Sequence, residues 1–314
     1  MDQPSLELTS SLIVTIPTQV LIPVRALAIN ALDPSIPPET QNQLLSLQYR
    51  HVTRKDALAT GNAYFCSVQG NLVLRTSRPE PAFKGLVFEA ALERLCREEP
   101  LTVGRRAFAW CTNRTVGRVP DKMISEYIPF ITGDQRLLNF PLTATFYNPG
   151  SPLDVQFYKV NDKGAAELAT QVNTGALAGI QVKAIQGNER SEIIDRLVSG
   201  RYPHVLTMLK HPSGEHSYEV CRRILTAMLR SAEIDGMTFA DVLSRITYPE
   251  ALGIDQMYID NYSVYISRSY QQQVQMTPDA AAAIALEVTE NLIMSPGGIL
   301  LPTIQDLILP PTLQ

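Results

Sequence analysis

Two short segments constrain this chain more than any other part of it: Pro152-Leu153-Asp154-Val155-Gln156-Phe157-Tyr158 and Gly179-Ile180-Gln181-Val182-Lys183-Ala184-Ile185. Each has the length and the β-branched or aromatic content of a strand. Among residues that otherwise favour burial, the first carries an acid and the second an amide and an amine two positions apart. Alternate residues of a strand share a face, so Gln181 and Lys183 project together. A fold that accommodates both segments has a sheet at its centre.

The surrounding pattern supplies the covering helices. In Phe83-Lys84-Gly85-Leu86-Val87-Phe88-Glu89-Ala90-Ala91-Leu92-Glu93-Arg94-Leu95 the apolar face runs through Phe88, Ala91, Leu92 and Leu95 at helical spacing. Glu89 lies at the edge of that face, and Glu93, Arg97 and Glu98 read as solvated. Asn188 to Glu192 opens a second helix that buries Ile193, Ile194, Leu197 and Val198 and ends at Gly200. His204 to Leu209 reads as a buried strand. A helix from Ser217, capped by that serine, carries Tyr218, Cys221, Leu225, Met228 and Leu229 on one side. Arg105 to Cys111 and Leu142 to Tyr147 are strand-like, residues 120–139 are ambiguous, and residues 165–172 are a short helix or the far end of a hairpin.

Upstream, Ser11 to Ile16 is a β-branched run, Pro37 to Thr40 precedes a helical pattern through Leu44, Leu45, Leu47 and Tyr49, and two runs flanking Gln69-Gly70 have hairpin spacing. Arg78-Pro79-Glu80-Pro81 is the first boundary. The expected organisation is a β-rich N-terminal region over 1–78, an α/β core over 79–235 and a mainly helical region over 236–314. That last region includes a helix at 278–294 and an apolar, proline-punctuated tail. The expected fold class is α/β, a mixed central sheet flanked by helices.

With 45% hydrophobic and 18% charged residues among 314, a sizeable core is expected. A net charge of −4 excludes broad, sequence-indifferent coating of nucleic acid but leaves room for a focused basic cleft. Cys66, Cys96, Cys111 and Cys221 form no CxxC pair, so buried reduced thiols are expected rather than a zinc site or a disulfide framework. The start carries Asp2 and Glu7 before any basic residue, and prolines interrupt the apolar run 12–24. A cytoplasmic, soluble protein without a membrane partner is expected. His211, His216 and Cys221 lack zinc-like spacing, and the two histidines read as solvent-facing. GxSxG, HExxH and Walker patterns are absent from the sequence.

A helix carrying Glu89, a strand carrying Asp154, a neighbouring strand carrying Gln181-Val182-Lys183, then a helix and another strand: this order resembles the core of the PD-(D/E)xK nuclease superfamily, the restriction-endonuclease-like fold, in its QxK variant. The likeness covers about residues 83–232, roughly half of the chain. The resemblance implies a metal-dependent endonuclease, acting on double-stranded DNA, in which Asp154, Glu89, Gln181 and the Val182 carbonyl hold Mg²⁺ or Mn²⁺ and Lys183 stands beside the reacting phosphate. Gln181 departs from the usual acid of that position. Arg105, Arg106, Arg114, Arg118 and Arg190 are the candidate phosphate contacts, and a homodimer is expected because duplex cleavage suits two symmetric sites. The competing expectation is a non-catalytic assembly protein of phage or mobile-element origin, favoured by the acidic balance, the neutral Gln181 and the apolar tail.

Overall fold

The computed structural model describes residues 11–15, 19–23, 49, 52–68 and 71–274. They belong to two compact units. The first contains Ala63–Thr76 and the segments up to Lys55 and from Ser267 onward; the second contains Asp56–Asn62 and Ser77–Ile266. Residues 236–266, expected with the C-terminal region, thus fold with the second unit. Of the helical pattern expected through Leu44, Leu45, Leu47 and Tyr49, Tyr49 alone is described, and it is helical. The 278–294 helix and the tail lie outside the described residues.

Within the first unit, β1 (Ser11–Thr15) pairs antiparallel with β2 (Gln19–Pro23). The hairpin spacing also holds: β3 (Ala63–Val68) and β4 (Asn71–Thr76) pair antiparallel, with Val68 opposite Asn71.

The second unit is an α/β body. The helix at 52–59 enters it at Asp56, and α1 (Glu80–Glu98) starts where Pro79 and Pro81 forbid a continuing strand but suit a first helical turn. Phe88, Ala91 and Leu92 are fully buried, as their spacing requires. Arg97 is exposed as expected, but Glu93 is buried and bound to Arg97. Arg94 is buried too: its Nε donates to Asp56 Oδ1 at 2.9 Å and its amino groups donate to Glu98 and to the Tyr258 hydroxyl. Tyr262 donates to the same Asp56 carboxylate at 2.6 Å, so one buried acid ties three helical segments together.

After a π-type turn at Pro100–Gly104 comes α2 (Arg105–Cys111), a helix where the sequence reads as strand-like. Seven residues are too few to fix a period from sequence alone. Gly104, Ala107, Phe108 and Cys111 form a buried helical face, and a Cβ at Gly104 would stand 2.6 Å from the Cys96 carbonyl oxygen. The formerly ambiguous stretch resolves into α3 (Asp121–Glu126), β5 (Ile128–Ile131) and a 3₁₀ turn at Gln135–Asn139.

Leu142 to Tyr147 is not a strand; Ala144–Phe146 is a 3₁₀ turn. Among the described residues the segment pairs with no strand of the sheet, and the strand it precedes, β6 (Val155–Val160), has neither edge open. One edge of β6 is taken by β5, with Ile131 opposite Val155, and the other by β7 (Ala166–Leu168) and β8 (Gly179–Lys183). Phe146 instead packs against Phe130 and Tyr158.

A second π-type turn, Arg190–Ile194, leads into α4 (Asp195–Val198), and β9 (Val205–Thr207) follows parallel to β8. Ile193, Ile194 and Leu197 are buried, whereas Val198 is exposed, and Gly200 ends the helix with φ of 71°. In α5 (Ser217–Arg230) Cys221, Leu225 and Met228 are buried, whereas Leu229 is exposed. His216, not Ser217, is the cap: its Nδ1 accepts from the Tyr218 N–H, while the Ser217 hydroxyl donates to the Ile185 carbonyl. Then come α6 (Gly236–Ser244), β10 (Ile246–Thr247), α7 (Pro249–Leu252) and α8 (Gln256–Val274). The sheet order is β10-β9-β8-β6-β5, with β8, β9 and β10 parallel and β5, β6 and β8 successively antiparallel. Helices flank it. A core of Ile193, Ile194, Leu197, Val205, Cys221 and Leu225 fills the β9 side. No helix among the described residues is long and apolar enough to cross a membrane.

Candidate functional site

The site starts from a register. Val155 stands opposite Ile180, so Asp154 and Gln181, one step further along each strand, meet on the opposite face. The backbone N–H of Gln181 donates to the His204 carbonyl, and the Lys183 carbonyl accepts from the Met208 N–H. Hydrogen bonding to β9 therefore uses Gln181 and Lys183, and leaves Val182 directed the other way. The Val182 N–H donates to Asp154 Oδ2 at 2.7 Å, and the Gln181 side-chain amide donates to the same oxygen. Gly179 permits the close approach: a Cβ there would lie 2.9 Å from Gln156 Cγ and 3.0 Å from the Val155 carbonyl oxygen.

The charges converge here as well. Glu89 and Asp154 each keep some solvent access but are packed about with protein atoms. Burial pushes the Asp154 carboxyl up to about 7, against the opposing pull of the Val182 N–H, Lys183 and the Gln181 amide. Burial also raises Glu89 well above the usual carboxylate range; the charge of Asp154 raises it further and Lys183 draws it down. Two carboxyl groups that disfavour each other's ionisation hold protons near neutrality or await a cation.

Lys183 is held from its far side. Its Nζ lies 3.6 Å from Glu192 Oε2 and 5.0 Å from the centre of the Tyr202 ring. Neither neighbour was legible beforehand: Glu192 reads as an ordinary first-turn acid, and Tyr202 sits in the short link before β9. The one available signal was the helix that follows Lys183 directly, which must return across the strand it leaves.

The candidate arginines do not gather as a set. Arg105 pairs with Asp121, and Arg190 pairs with Glu233 and, at 4.0 Å, with Asp195. Arg114 lies 5.8 Å over the Phe108 ring, and Arg106 and Arg118 are exposed. His211 and His216 are half-buried and engaged rather than solvent-facing. His211 Nε2 lies 2.5 Å from Glu189 Oε1, and His216 Nε2 lies 3.0 Å from Gln256 Oε1. Cys96, Cys111 and Cys221 are buried free thiols, and burial pushes the Cys221 thiol up to about 12, leaving it unreactive.

Among the described residues no group of three or more His, Cys, Asp or Glu side chains is placed to hold a metal ion. A cation at this site would therefore draw on two carboxylates, one amide and one backbone carbonyl. Hard, oxygen-only donors of that kind fit Mg²⁺ or Mn²⁺ and do not fit zinc. Comparison with protein-family models, with curated proteins and with solved structures finds no match for this chain.

Proposed function

We propose that this protein is a metal-dependent phosphodiesterase acting on nucleic acid, with Asp154, Glu89, Gln181 and Lys183 as its reacting centre. One observation carries the reading: Asp154 and Glu89, both pushed toward the protonated form by burial, are brought together with the Lys183 ammonium. The sequence of elements supports it. A helix with Glu89 precedes three successively antiparallel strands, the second entered by Asp154 and the third carrying Gln181 and Lys183. A helix and a parallel strand follow; the succession of Glu89 helix, Asp154 strand, Gln181 strand, helix and strand is the one on which the PD-(D/E)xK resemblance rests.

Asp154 and Glu89 are the anionic donors for a divalent cation, with the Gln181 side chain and the Val182 carbonyl as neutral ones. Gln181 now donates its amide N–H to Asp154, so offering its oxygen requires the amide to turn over. When bound, such an ion polarises a phosphate oxygen and lowers the pKa of an attacking water. Lys183 balances the charge that develops on the phosphate, and Glu192 and Tyr202 keep its ammonium at that position.

The test is cleavage of labelled nucleic acid, single-stranded and duplex, with Mg²⁺ or Mn²⁺. Asp154→Ala and Lys183→Ala are each expected to lower the rate by roughly 10²–10⁴-fold while the circular-dichroism spectrum stays unchanged. Retained cleavage in both variants overturns the assignment. Absence of cleavage by the wild type, together with large particles in light scattering, would favour an assembly protein instead.

A further inference from the structure

We propose that the connection between β5 and β6, from Thr132 to Asp154, grips unpaired nucleobases beside the reacting centre, through Leu138, Phe140 and Leu142. This rests on the phosphodiesterase reading and narrows its substrate to single-stranded or unpaired nucleic acid.

Placement is the first argument. Ile131 and Val155 are paired, so the connection leaves and re-enters the sheet at the end where Asp154 stands. Because β8 runs antiparallel to β6, Gln181 and Lys183 lie at that same end. The first limb also passes α1 one turn beyond Glu89, where the Arg136 charge is felt by Glu93. A connection this long inside a compact body is more often a binding loop than a spacer.

Its construction is the second. The loop is pinned throughout: Asp134 accepts from the Arg136 N–H at 2.8 Å, and the Thr143 hydroxyl donates to the Leu137 carbonyl at 3.2 Å. The Asn148 N–H donates to the Thr132 carbonyl at 2.7 Å, and Phe146 stacks on Phe130 at 5.5 Å. Leu137 and Phe146 are the inward anchors. Leu138, Phe140 and Leu142 are held outward, 53%, 63% and 41% exposed. Three large apolar side chains left in solvent between positions 138 and 142 of one hydrogen-bonded loop are what a contact surface offers.

Charge selects the partner. Arg136, the basic side chain of this connection, is engaged by Asp134 through both Nε and a terminal amino group. Arg105 and Arg190 are engaged by acids elsewhere, and the chain carries a net charge of −4. Along this connection the backbone-phosphate contribution that normally dominates duplex binding is therefore small. What a nucleic acid offers instead is the flat apolar face of its bases, open to such side chains only when unpaired.

The experiment uses the full-length protein in EDTA, so that binding is read without cleavage. A fluorescein-labelled single-stranded oligonucleotide and its duplex are titrated at two salt concentrations and read by anisotropy. The wild type is expected to prefer the single strand at least tenfold. The triple variant Leu138→Ser, Phe140→Ser, Leu142→Ser is expected to lose at least tenfold on the single strand, with an unchanged salt slope and melting temperature. Phe140→Trp is expected to bind as the wild type does and to show quenched tryptophan fluorescence on adding the single strand. Unchanged affinity in the triple variant overturns the loop's role and leaves the reacting centre standing. So does a loop-dependent dimer, seen by sedimentation, whose loss leaves binding intact. A wild type that neither binds nor, with Mg²⁺, cleaves either form overturns the phosphodiesterase reading and this inference together.

Discussion

At Asp154 a single carboxyl group answers to opposing forces, and the balance can be read in solution. Its folded-state value is raised from 3.8 to about 7, so the native state keeps a proton that the unfolded chain releases. Stability from this group is fully present below the unfolded value and is lost as pH rises through about 7. Asp154→Asn cannot ionise and keeps an oxygen for the Val182 N–H. Without divalent cations, urea denaturation is expected to favour Asp154→Asn over the wild type at pH 8, by about 2–4 kcal/mol relative to their difference at pH 4. A constant difference across that range would mean that the carboxylate is not desolvated as the structure places it. His204 has the opposite sign. It is buried, its Nε2 lies 3.2 Å from Asn113 Oδ1, and burial first and then Arg245 lower it from 6.5 to about 4. Its contribution is present above 6.5 and is lost as pH falls through about 4. His204→Phe preserves the edge contact with Trp110 at the expense of one hydrogen bond. The variant should lose less stability than the wild type between pH 6.5 and 4, by on the order of 3 kcal/mol.

Among the elements, the buried contact of Asp56 with Arg94 and Tyr262 joins the helix at 52–59, α1 and α8. Asp56→Ala strands the Arg94 guanidinium in a site where Glu98 and Tyr258 are its remaining partners, and is expected to cost about 3 kcal/mol. Removing both charges, as Asp56→Ala with Arg94→Met, is expected to cost less than Asp56→Ala alone in chemical denaturation. A double variant no more stable than the single one would show that the ion pair contributes more than it costs to bury. This contact also marks where the sequence stops being legible. The face of α1 was readable because Phe88, Ala91, Leu92 and Leu95 carry a one-sided period. Glu93 reads as solvated on the same helix although it is buried, and the partners of Arg94, Asp56 and Tyr258, come from elements distant in the chain. Arg105 to Cys111 reads as a strand because seven residues are too few to fix a period, and Leu142 to Tyr147 because local propensity does not report that β6 is already paired on both edges. At the site, Asp154 and Gln181-Val182-Lys183 were visible because alternation along a strand is a local rule. Glu192 and Tyr202, which hold Lys183, are brought there by the π-type turn at Arg190–Ile194 and the link to β9, and no local rule reports that.

For the molecule as a whole, the informative feature is that the two units are interleaved along the chain. The hairpin β3-β4 belongs to the first unit, yet residues on both sides of it, Asp56–Asn62 and Ser77 onward, belong to the second. An insertion of this kind is tolerated when its two ends leave the host body side by side. They do so here: Ala63 stands opposite Thr76, and the Arg78 Nε donates to the Asn62 side-chain oxygen at 3.1 Å. The site residues Glu89, Asp154, Gln181 and Lys183 all lie within the second unit, as do the core around Ile193 and Val205 and the Asp56 contact. Replacing Ala63–Thr76 by a short Gly-Ser linker should therefore leave a chain that unfolds in one cooperative thermal transition and retains the wild-type affinity for single-stranded oligonucleotide. Differential scanning calorimetry and the anisotropy titration read the two halves of that expectation separately. Loss of the cooperative transition would mean that the hairpin is integral to the α/β body. A cooperative fold with at least tenfold weaker binding would mean that the hairpin contributes to the nucleic-acid surface, and would move part of the substrate grip away from the connection between β5 and β6.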